Sequence, residues 1–66
     1  MATAEMIKAL ESYKNGMESL VVFWGKVEER SLASFDTVEA SYAEGCKDVY
    51  ELIVEDVEDF LEAAKR

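Results

Sequence analysis

The side chains able to do chemistry in this chain are almost all carboxylates. Its 66 residues hold fifteen Asp and Glu against seven Lys and Arg, no histidine and one cysteine, Cys46. Without histidine the commonest general base and transition-metal ligand is missing. Cys46 has no imidazole to activate it, and a lone cysteine forms neither an internal disulfide nor a zinc site. It reads as a small hydrophobe on a helix seam. The carboxylate pairs Glu55/Glu58 and Asp59/Glu62 fall i, i+3 on one helical face. Di-metal bundles use that spacing, but they also need Glu-x-x-His on two helices. Loosely held Ca²⁺ or Mg²⁺ is the most these pairs suit. The expectation is no catalytic residue, no metal site and no cofactor.

The acids are nonetheless arranged. Residues 34–66 carry ten acids and three bases, while residues 1–33 carry five and four. Glu44, Asp48, Glu51, Glu55, Glu58 and Glu62 recur at steps of 4, 3, 4, 3 and 4. On a helix they form one stripe about 27 Å long at about 1.5 Å per residue. Such a stripe is either a solvated face or an imitation of a nucleic-acid backbone offered to a basic cleft. The net charge of −8 opposes direct contact with nucleic-acid phosphates or anionic membranes.

The apolar residues tell which elements carry that stripe. Met6, Leu10, Tyr13, Met17, Leu20, Trp24 and Val27 recur at alternating steps of 4 and 3, the mark of a helical seam. Phe35, Val38, Tyr42, Cys46, Val49, Ile53, Val57, Phe60 and Ala64 continue at helical spacing with extra four-residue steps. Strict alternation is absent, so strands are not expected. Thr3 suits a helix N-cap with Glu5 behind it, Arg30 suits a helix end, and Ser34 suits a second N-cap with Asp36 in the first turn. The reading is one all-α domain over 1–66: a helix at about 4–30, a turn at about 31–34, and a helix at about 35–64. A single helix of about 60 residues is the competing shape. Ser12-Tyr13-x-x-Gly16 and Ser41-Tyr42-x-x-Gly45 form a faint internal repeat that favours an antiparallel hairpin.

One seam does not use up the apolar residues. Leu20, Val21, Phe23 and Trp24 fill a wide arc, and Val22 points nearly opposite. Wide apolar patches are rarely left wet in monomers, so the hairpin is expected to dimerise into a four-helix bundle. The self-association core is assigned to Met6, Leu10, Tyr13, Met17, Leu20, Trp24, Val27, Val49, Ile53, Val57 and Phe60. Val22 and the acidic stripe, Glu44 through Glu62, form the candidate surface for a further, basic protein partner. Asp56 falls within the apolar arc, where an acid either pins register or stands at the arc's edge and reaches water or a lysine such as Lys8 or Lys14. In size and plan the chain resembles the small two-helix RNA-modulating proteins that dimerise as bundles, with no shared motif and no residue carried over.

The expected function is a non-enzymatic protein-interaction module, an adaptor or accessory subunit that self-associates and docks on a larger protein. The alternative is an acidic inhibitor that mimics nucleic acid. The N-terminus lacks a basic segment followed by an apolar one, and the longest apolar run, Leu20 to Trp24, is far too short to cross a bilayer. With an unpaired cysteine, this places the expectation in the cytoplasm.

Overall fold

The computed structural model describes residues 3–66. Helix α1 runs Ala4–Ala33 and helix α2 runs Thr37–Ala64. They pack against each other as a hairpin, which settles the chain's shape against one long helix. Among the described residues there is no strand. Thr3 caps α1 as expected: its hydroxyl accepts from the Met6 amide at 3.1 Å, with Glu5 in the first turn and Arg30 in the last.

The turn lies later than the expected 31–34, and Ser34 does not start the second helix. Ser34 is the C-cap of α1. The Phe35 amide then donates to the Leu32 carbonyl at 3.1 Å and the Asp36 amide to the Ser31 carbonyl at 2.8 Å. These two bonds make the Schellman closure of a helix. Its left-handed position, which glycine usually fills, is held by Phe35 at φ 61°. A left-handed L-residue costs on the order of 1 kcal/mol. Asp36 then caps α2, accepting from the Glu39 amide at 3.0 Å. One residue thus closes one helix and opens the next.

The interhelical seam keeps Leu10, Met17 and Trp24 of the expected seam of α1 and takes the residue after each of Met6, Tyr13, Leu20 and Val27. Ile7, Leu10, Lys14, Met17, Val21, Trp24, Glu28 and Ser31 face α2. From the other side come Ala40, Ala43, Lys47, Tyr50, Val54, Val57, Leu61 and Ala64. The fully enclosed part is small: Ser31, Ala40, Ala43, Val57 and Leu61. Near the turn the two alanines let the helices close together. Ser31 is buried there because its hydroxyl donates to Glu39 Oε1 at 3.0 Å. Further along, Lys47 donates to Glu28 Oε1 at 3.1 Å, so these two long polar side chains of the seam satisfy each other. Lys47 keeps its proton above the ordinary lysine value of 10.5, first through that hydrogen bond, then through the Glu28 charge, with burial opposing.

Candidate interaction surface

This seam leaves two unlike flanks. On one side lie the residues just before the seam positions: Met6, Tyr13, Leu20 and Val27 on α1, and Cys46, Ile53 and Phe60 on α2. Phe23, Tyr42 and Val49 extend this side by helical spacing. Trp24 joins it across the seam, its ring edge-on to Phe23 at 5.2 Å and to Tyr42 at 5.6 Å. The flank is open. Phe60 is 69 % exposed and Tyr42 65 %. Around Gly45 the side chains of Ser41, Tyr42, Cys46, Val49 and Tyr50 line a shallow apolar hollow. A methyl group added at Gly45 would meet nothing within 4 Å. The hairpin itself therefore has no need of a glycine that costs about 1 kcal/mol in a helix relative to alanine. Tyr42 holds its phenol proton above 10.0, first through a hydrogen bond shared with Cys46.

The expected self-association core divides between seam and flank. Leu10, Met17 and Trp24 lie in the seam half-buried, with Val57 buried, and Leu20, Val27 and Ile53 are half-buried beside it. Met6, Tyr13, Val49 and Phe60 stand exposed on the flank. Asp56 is exposed at the outer edge of the same flank and joins no ion pair among the described residues. Of the two edge positions an acid there can take, it faces water and bonds neither Lys8 nor Lys14. Asp56 stands on the apolar flank, whereas Lys14 turns to the opposite side and reaches Glu58 and Glu18 at 3.7 and 3.6 Å.

The other flank is acidic. Glu44, Asp48, Glu51, Glu55, Glu58 and Glu62 are all exposed on it. The sequence reading assigned this stripe to the second helix alone. The fold adds Glu11 and Glu18 of α1 beside it, where Lys65 meets Glu11 at 3.0 Å and Lys14 bridges the helices. The missed signal is the spacing of Glu11 and Glu18 one residue after Leu10 and Met17, a position that antiparallel packing turns to the same side as the stripe. Val22 is exposed among these acids.

A third apolar spot caps the turn, where Phe35 is 90 % exposed and Val38 81 %. Among the described residues no His, Cys, Asp and Glu cluster in threes to hold a metal ion, and no helix is long and apolar enough to cross a membrane. The chain matches no family model, no curated protein and no solved structure.

Proposed function

We propose that the chain is a non-enzymatic helical interaction module that dimerises through its apolar flank and presents its acidic flank to a larger protein. The observation that carries this is the continuous apolar flank from Met6 to Phe23 on α1 and from Tyr42 to Phe60 on α2. The hairpin does not consume it. Size points the same way. The Cα radius of gyration is 15.0 Å, against about 11 Å for a compact chain of this length. The accessible surface is 5012 Å², whereas a compact monomer of this mass exposes about 4200 Å². The excess of roughly 800 Å² equals one partner's share of a standard interface. A second copy supplies a matching surface with almost no charge on it. Joining acidic flanks instead would set like charges against each other. Two hairpins joined by their apolar flanks form an antiparallel four-helix bundle with acids outward.

Light scattering with small-angle X-ray scattering on one sample tests this. A compact particle of twice the 7.4 kDa chain mass is expected. A helical monomer at tens of micromolar would overturn the dimer.

The second reading is an acidic inhibitor that occupies a nucleic-acid-binding cleft. It is favoured by one observation, the gathering of acids from both helices on a single flank. Co-purification from lysate at low and high salt separates the two. Partners held by charge alone are released at high salt, and partners docked on apolar surface persist.

A further inference from the structure

We infer that the cleft between the helices on the acidic flank is a docking groove for a short basic amphipathic helix of another protein. The inference rests on the proposed function, in which the acidic flank faces a larger protein and a second copy closes the opposite flank. The floor of the groove is Val21, Val22 and Val54, and its walls are Glu18, Glu51, Glu55 and Glu58. A face kept only for solubility has no use for a valine floor, and neither has an imitation of phosphates. Val22 is 56 % exposed, so the hairpin gains little from it.

The protein's own lysines show what the walls accept. The Lys14 ammonium lies 3.6 Å from Glu18 and 3.7 Å from Glu58, at one end of the groove. At the other end Lys47 is turned toward Glu28 at 3.1 Å. Between these lysines, Glu51 and Glu55 make no ion pair among the described residues. Lys47 lies against Gly25, eleven residues along α1 from Lys14, so the open stretch is about 16 Å at about 1.5 Å per residue. Three turns of helix match that length. An aliphatic side chain at its centre covers Val22 and Val54. Lysine or arginine one turn to either side reaches Glu51 and Glu55, since residues three and four apart share a face. The net charge of −8 turns away an acidic occupant.

The probe is a fluorescein-labelled synthetic helix of about three turns, with leucines on one stripe and lysines beside it. The full chain is titrated into it and anisotropy is read. Saturable binding is expected, about tenfold tighter than for the same peptide with serines in place of leucines. Val22→Ser weakens it about tenfold, whereas Phe60→Ser on the opposite flank leaves it unchanged. Circular dichroism confirms that both variants stay helical. Equal binding of the serine peptide shows charge alone at work and overturns the groove. So does loss of binding in Phe60→Ser with retention in Val22→Ser, or the absence of saturation. Light scattering on the same samples reads the dimer independently. A monomer that still binds the leucine peptide through Val22 overturns self-association and leaves the groove standing.

Discussion

The two flanks of this hairpin are built from the same two helices and differ in nearly every surface property. One carries Met6, Tyr13, Phe23, Tyr42, Val49 and Phe60 with Asp56 at its edge, and the other carries the acids from Glu44 to Glu62 with Glu11 and Glu18 beside them. They are separated by a seam that mixes Leu10, Met17, Trp24, Val57 and Leu61 with Ala40, Ala43, Ser31 and the Glu28–Lys47 pair. The difference teaches that the hairpin is not organised to bury its own best hydrophobic strip. That strip stands one residue to the side. Under the proposed pairing, association would supply part of the stability of a chain that spends its aliphatic and aromatic residues this way.

Substitutions can break or sharpen that contrast. The largest effect is expected from Phe60→Glu. Placing a charge in the proposed interface should cost the dimer about 3 kcal/mol or more, read as a fall from dimer to monomer in analytical ultracentrifugation. Val22→Glu, the like change on the acidic flank, should leave the mass unchanged and stability within about 0.5 kcal/mol. If both behave alike, the flanks are not distinct in function. Asp56→Leu removes the acid at the edge of the apolar flank and should raise the denaturation midpoint by about 1 kcal/mol of stability. A loss of that size would show instead that Asp56 pins the pairing.

At the turn, Phe35→Gly relieves the left-handed strain at φ 61°. A gain of about 0.5–1 kcal/mol in urea unfolding is expected, smaller than the strain because glycine is freer when unfolded. The smallest effect concerns pH. Lys47 binds its proton more tightly when folded, because it donates to Glu28. Its pairing therefore stabilises in full below the ordinary value of 10.5 and fades as pH rises through the higher folded value. Thermal melts of the native chain and of Lys47→Met should run parallel up to about pH 10 and converge above it. A difference that grows on going below pH 9 would contradict the assignment.

Much of this architecture could be read from the residues alone. Helical spacing gave two helices, Thr3 its cap, and Leu10, Met17, Trp24 and Val57 their place in the seam. Two things stayed hidden for physical reasons. Apolar periodicity points to the centre of an apolar arc, and here the hairpin packs on the edge of that arc. The Glu28–Lys47 pair in the seam carries no periodic signal, because each partner comes from the other helix. The turn was hidden because a phenylalanine sits where glycine marks a helix end, so Ser34 reads as the second cap, and the bonds of residues 35 and 36 back to Leu32 and Ser31 pass that role to Asp36. The acidic stripe was legible on α2, whereas its continuation onto α1 depended on the phase of packing.

That phase has a cause in the three residues 34–36 that join the helices. A connection so short leaves α2 little freedom to roll about its own axis. A loop lengthened by several glycines and serines would release the roll and let both helices turn their richest strips inward. Under the proposed pairing, such a chain should sediment as a monomer and the native chain as a dimer. The brevity of the loop would then set the valence of the molecule, keeping it from satisfying itself.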